Sequence, residues 1–415
     1  MFEYKTLSNG IRVVAEKIPY LRSVSLGVWV GSGSRYETEK ENGISHFIEH
    51  MLFKGTNRRD AARIAAEIDA VGGQINAFTA REYTCFYTKT LDEHIETAAD
   101  VLSDILFNSR LDERDMELER RVICEEISLY EDSPEDLVYD ILYEAVWKGT
   151  PMGRSILGTP ESLSGITSEL MRDYMRRHYT CENTVIAVSG NFDAGLFELL
   201  EKYFGAREIE KSTPKPPKAV YKPGKALKCK DIEQVQLAIS FEGIDIFDET
   251  VYSLLAFNNV FGCGMSSRLF QNIREKRGLV YSIGAGHSAY DGTGIFDISA
   301  GMSPERLPEV AELIVGEIKR IKSEKLTSAE LARAKEQLKG NYILSCESTG
   351  ARMQSAGRSL LINKPMLTQE EVIKKIEAVT ADDAADMIDR IFNSASLSAA
   401  AVGPVDNIDG IFDLF

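Results

Sequence analysis

The sequence predicts an α+β fold built twice over: two homologous domains, each with helices packed on a mostly antiparallel sheet. Three observations predict it. The halves of the chain repeat in order, a proline-rich linker parts them, and each half interleaves strand-like runs with long helical stretches. Val24–Val30 alternates as a strand does and is matched by Val235–Phe241. Leu111-Asp112-Glu113-Arg114 opens a charged helix, as does Leu326-Thr327-Ser328-Ala329. Asn183–Gly190 returns as Ser396–Gly403. These pairs lie roughly 211 to 215 positions apart, far beyond solenoid repeat lengths. Lys211–Lys218 is proline-rich, basic and without periodicity, the composition of a linker. Residues 1–210 and 226–415 are therefore expected to be the two domains, with 211–225 joining them.

Within the first half, Gly73–Thr79 and Thr84–Thr88 read as strands around a turn. Helical stretches follow from about Glu93 to Asn108 and from about Glu113 to Glu131, before the closing strand at Asn183–Gly190. Strands interleaved with several helices point to helices covering a sheet.

Composition narrows the function. A chain of 415 residues is long enough for two substantial cores. No apolar run approaches the roughly 18 residues that span a bilayer, so no membrane segment is expected. Met1-Phe2-Glu3-Tyr4-Lys5 resembles neither a secretory signal nor a transit peptide, so a cytoplasmic location is the expectation. The six cysteines are scattered without a C-x-x-C pair and read as reduced small hydrophobes. A net charge of −16 argues against nucleic acid as a partner. The same acidity suits either basic substrates in a lined cavity or a solvated surface, and composition leaves both open.

Chemistry enters at Gly43–Phe53, which contains His46, Glu49 and His50 in the order H-x-x-E-H. A helix places positions i and i+4 on one face, so both imidazoles can reach a single ion. Glu49 borders that face and is placed to act as general base on a water at the metal. Phe47, Ile48, Met51 and Leu52 surround these polar groups, which need partners in apolar company. Moving forward 211 positions reaches Phe257, Val260 and Phe261, so the second half lacks the metal chemistry. A catalytic zinc site takes three protein ligands. His94 and His178 stand isolated among solvated charges. Glu119 and Glu126, two helical turns apart on one face, are the better source, one as ligand and the other orienting a histidine.

With these motifs in view, the chain resembles the pitrilysin-type zinc metallopeptidases, closest to the short bacterial members similar to the mitochondrial processing peptidase. That family's third zinc ligand is a glutamate about 76 residues beyond the second histidine, which here selects Glu126. Its Glu-Arg-x-Val-Ile-x-Glu-Glu stretch stands here as Glu119–Glu126, so the resemblance gives Glu119 the role of orienting carboxylate. It implies one zinc per chain on His46, His50 and Glu126, and substrate contact by Asn76, Ala77 and Phe78. Main-chain bonding to a sheet edge is a sequence-tolerant way to hold a peptide. From sequence alone, Ser266–Ser282 is a basic helix ending at Gly278 before a strand. The resemblance assigns Arg274 and Tyr281 to substrate and to the developing oxyanion. The first domain is thus expected to be catalytic and the second substrate-contacting.

The expected activity is zinc-dependent endopeptidase cleavage of extended or unfolded peptides. The resemblance further implies a homodimer closing a chamber, as short members pair two chains. The rival expectation is a non-catalytic or partner-dependent subunit of a processing-peptidase-like complex. A small-molecule hydrolase fits an edge strand less well.

Overall fold

The structure is a computed structural model describing residues 2–206, 209–212 and 215–415. Of the expected linker, Thr213 and Pro214 lie outside the described residues, and 215–224 carry neither helix nor strand. The chain forms two compact units. One comprises residues up to Ile127 with Ser155–Pro217 and Leu344–Thr368; the other comprises Ser128–Arg154, Lys218–Ile343 and Gln369–Phe415. Each unit therefore draws one helical segment from the opposite half of the chain.

The first unit is built on six strands: β1 (Phe2–Thr6), β2 (Arg12–Lys17), β3 (Ser23–Val30), β4 (Gln74–Thr79), β5 (Thr84–Leu91) and β6 (Thr184–Gly190). Their order is β1-β2-β6-β3-β5-β4, and only β2 and β6 run parallel. The second has β7 (Lys225–Cys229), β8 (Val235–Glu242), β9 (Ser282–Tyr290), β10 (Thr293–Met302) and β11 (Ser398–Gly403). Their order is β7-β11-β8-β10-β9, again with a single parallel pair, β7 and β11. With β1 set aside, the two sheets share one topology, and the repeated strands β3/β8 and β6/β11 occupy equivalent places.

Each sheet is buried on both faces. Val24, Leu26 and Val28 of β3 point into a core with Phe47, Ile48, Ile105 and Ile123. Trp29 points the other way, into a cluster with Val14, Val185 and Met353, the last from the helix Thr349–Leu361. Gly357 allows that helix its approach: a Cβ there would lie 2.2 Å from Trp29 Nε1. In the second unit, Leu237, Ile239 and Phe241 face the helix Val251–Phe261, and Ala238, Ala400 and Val402 face the helix Pro134–Val146. Among the described residues, no helix is long and apolar enough to cross a membrane.

Candidate metal centre

The helix Ile44–Leu52 buries Ile44, Phe47, Ile48, Met51 and Leu52 in the first core, which leaves His46, Glu49 and His50 along its remaining face. Its start is fixed by an unusual device. Gly43 takes φ 90° beneath Leu157, whose carbonyl oxygen would lie 2.7 Å from an added Cβ. Glu37, 1% exposed, accepts hydrogen bonds from the backbone N–H of Gly43 (2.8 Å) and Ser45 (2.9 Å) and from Asn42 Nδ2 (3.2 Å). A carboxylate at this end satisfies otherwise orphaned amides and complements the helix dipole. Burial still pushes its pKa up, against those bonds. Ser45 is also tied through its hydroxyl to the buried Tyr174 phenol, which reaches Ser32 as well.

The helix Glu113–Glu131 supplies the carboxylates. His46 Nε2 lies 3.7 Å and His50 Nε2 3.6 Å from one oxygen of Glu126. The two imidazole centroids are 4.6 Å apart. Among the described residues these three are the one group of histidine, cysteine or acidic side chains whose ligand atoms converge, all within 4.8 Å of one another. Tetrahedral zinc with bonds of about 2.0–2.1 Å holds its ligand atoms about 3.3 Å apart, close to these separations. His46 is buried, and burial with the neighbouring His50 lowers its pKa to about 3, which leaves a neutral imidazole with a lone pair to donate. The donor set fits zinc.

Beside these three side chains, Glu119 Oε2 lies 3.0 Å from His50 Nδ1; with Nδ1–H donating, Nε2 keeps the lone pair that could hold a metal. Glu49 accepts a hydrogen bond from the Thr79 hydroxyl, which rises from β4. Burial raises the Glu49 pKa most, and Glu126 raises it further, while Thr79 and His50 pull it down. Glu125, next to Glu126, is exposed, as its position on the helix requires.

Among the described residues, β4 is the outermost strand of its sheet and pairs only with β5. Ile75 and Ala77 face the core that holds the helix Ile44–Leu52, as does Thr79. Phe78 faces the other way, 5.7 Å from Trp29 and 6.2 Å from both Tyr83 and Tyr87. Asn76 is exposed, its side-chain Oδ1 accepting from the Ala77 backbone N–H at 2.8 Å. Arg274 and Tyr281 belong to the second unit. The Arg274 guanidinium stacks 4.6 Å from the Phe270 ring, and Tyr281 is 71% exposed beyond Gly278, whose φ is 62°.

Two points depart from the sequence expectations or add to them. His178, expected among solvated charges, is buried and stacks 4.1 Å from the Tyr174 ring, because its helix turns that face inward. Glu37, Thr79 and Lys54, whose Nζ lies 2.5 Å from Glu119 Oε1, support the site, yet no local spacing marks them: Thr79 and Lys54 find their partners far along the chain, and Glu37 reaches the helix start from a loop. At the positions 211 residues beyond His46 and His50, Phe257 and Phe261 pack on Phe296 and Phe392, with centroids 5.4 and 5.1 Å apart, so aromatic core stands where the first half has imidazoles.

Both halves of the chain are similar to known proteins. Residues 12–160 match the family described as Insulinase (Peptidase family M16), and residues 165–338 match the one described as Peptidase M16 inactive domain. The protein named uncharacterized zinc protease YmxG, from Bacillus subtilis, is 40% identical over 98% of this chain and 100% of its own. An uncharacterized zinc protease from Rickettsia felis is 37% identical over 98% of each. The crystal structure of a protease from Helicobacter pylori superposes with a TM-score of 0.90 at 21% identity, covering 97% of this chain and 99% of that one. A peptidase M16 inactive domain from Pseudomonas fluorescens gives 0.91 at 18% identity, covering 98% of each. With matches across both halves and one fold throughout, this chain belongs to peptidase family M16, the insulinase or pitrilysin-type metallopeptidases.

Proposed function

We propose that this protein is a zinc metalloendopeptidase that cleaves extended or unfolded peptides. The observation that carries the reading is the convergence of His46, His50 and Glu126 beside Glu49, a carboxylate that a purely structural zinc site does not require. The zinc protease names of its relatives support it.

In this reading His46 Nε2, His50 Nε2 and Glu126 hold one zinc per chain. When bound, zinc supplies Lewis acidity, making water a stronger acid and polarising a carbonyl oxygen. Glu49 takes the proton of the attacking water and passes it to the leaving amine. Thr79 holds one Glu49 oxygen and leaves the other to work. Peptide adds to the free edge of β4 along Asn76, Ala77 and Phe78. The repeats 1–210 and 226–415, on either side of 211–225, divide the labour: the first holds the metal, and the second contacts substrate and the developing oxyanion through Arg274 and Tyr281. Two chains form a homodimer around an enclosed chamber.

Cleavage of a quenched fluorescent peptide by the purified protein, abolished by a chelator and restored by zinc, is the expected result. No cleavage of a diverse peptide library by zinc-loaded protein would sink the peptidase reading.

A further inference from the structure

Lys54 follows the metal helix directly, its amide bonded to Met51 O at 3.1 Å, so its backbone is tied to the helix's last turn. Its half-buried side chain places Nζ 2.5 Å from Glu119 Oε1. The other Glu119 oxygen, Oε2, faces His50 Nδ1 at 3.0 Å. Glu119 is only 5% exposed, and its two oxygens are divided between one ammonium and one imidazole. We propose that Lys54 is a positioning residue for the metal centre: by holding Oε1 it fixes the Glu119 carboxylate, whose Oε2 then orients His50 so that Nε2 points at the ion.

The inference rests on the zinc reading of the site, though not on catalysis. A glutamate side chain carries three rotatable bonds, and a salt bridge to one oxygen with a hydrogen bond to the other removes that freedom. Without Lys54, one oxygen of a buried carboxylate loses its partner, and the group gains reason to move toward water or toward the ion itself. Partners that orient metal ligands typically contribute 10–100-fold in metal affinity.

A rival view makes Lys54 only a positive charge near a divalent cation. The two views predict opposite signs. A bare ammonium repels zinc, so its removal should tighten binding. A positioning ammonium strengthens the site, so its removal should loosen it.

Zinc loss from the full-length protein into excess chelator, followed with a zinc-responsive dye, reads this without any peptide. Lys54→Met, which keeps the apolar stem, is expected to speed zinc loss about 10- to 100-fold. Lys54→Arg should restore most of the difference. In a Glu119→Gln background, Lys54→Met should add less than about twofold, because the lysine acts through Glu119. Should Lys54→Met fail to fold, Lys54→Gln takes its place with the same expectations. Unchanged or slower zinc loss overturns the proposal, as do equal factors in the two backgrounds or wild-type protein that takes up no zinc. Protein that follows the expected pattern but cleaves no peptide contradicts the peptidase reading alone.

Discussion

Glu49 combines burial, a hydroxyl partner and a place beside His50 and Glu126, and it stands outside the group whose ligand atoms converge. Glu49→Gln should therefore keep its zinc by elemental analysis while peptide turnover falls about 10²–10⁴-fold. His46, Glu49 and His50 were legible from sequence because a helix converts a five-residue spacing into a face. Glu126 was not legible by spacing alone, since Glu119 shares its face; the family resemblance separated them, and the distances to both imidazoles agree. Lys54 and Thr79 were out of reach, because their partners lie 65 and 30 residues away in sequence. His178 makes a different prediction. Burial, then the neighbouring Arg177, lowers its pKa to about 4, below the ordinary 6.5. The folded state thus binds fewer protons than the unfolded chain in that window, and stability falls as pH drops from about 6.5 to 4. Glu41 and Asp173 beside it are held below the usual carboxylate range, so their loss comes at lower pH still. Denaturant unfolding at pH 7 and pH 5 should show a smaller drop for His178→Phe than for wild type; equal drops would remove His178 as a source.

Whole elements act on the site through their ends and edges. The helix Ile44–Leu52 begins at a glycine in the left-handed region, pressed against Leu157 O. Gly43→Ala should cost about 1–3 kcal/mol of stability, read by denaturant unfolding, through backbone strain and overpacking. The β4 edge makes a test of substrate binding. If peptide adds as a strand, N-methylation of alternate backbone amides should raise KM about tenfold, while methylation of the intervening amides changes it little. Equal effects at every position would rule out strand addition. The helices Glu113–Glu131 and Ile95–Asn108 matched their sequence periodicity because each carries a buried stripe. Nothing in Pro134–Val146 or Thr349–Leu361 signals that each packs in the unit built mainly from the other half. An amphipathic pattern names a buried face, not the sheet that buries it.

At the scale of the molecule, the duplication was legible because strand patterns survive where chemistry does not. The shared order of the two sheets and the aromatic filling at Phe257 and Phe261 are the same fact seen in packing. The proposed homodimer predicts sedimentation at about twice the 46.2 kDa chain mass, and a monomer at high concentration would contradict it. All of the proposed chemistry depends on one ion held by His46, His50 and Glu126, three residues of the first unit. A crystal of zinc-loaded protein, with anomalous diffraction recorded on both sides of the zinc edge, tests this most directly. The account predicts a single peak per chain, bonded to His46 Nε2, His50 Nε2 and a Glu126 oxygen, with Glu119 on His50 Nδ1. A peak elsewhere, a third ligand other than Glu126, or no peak at saturating zinc would contradict it.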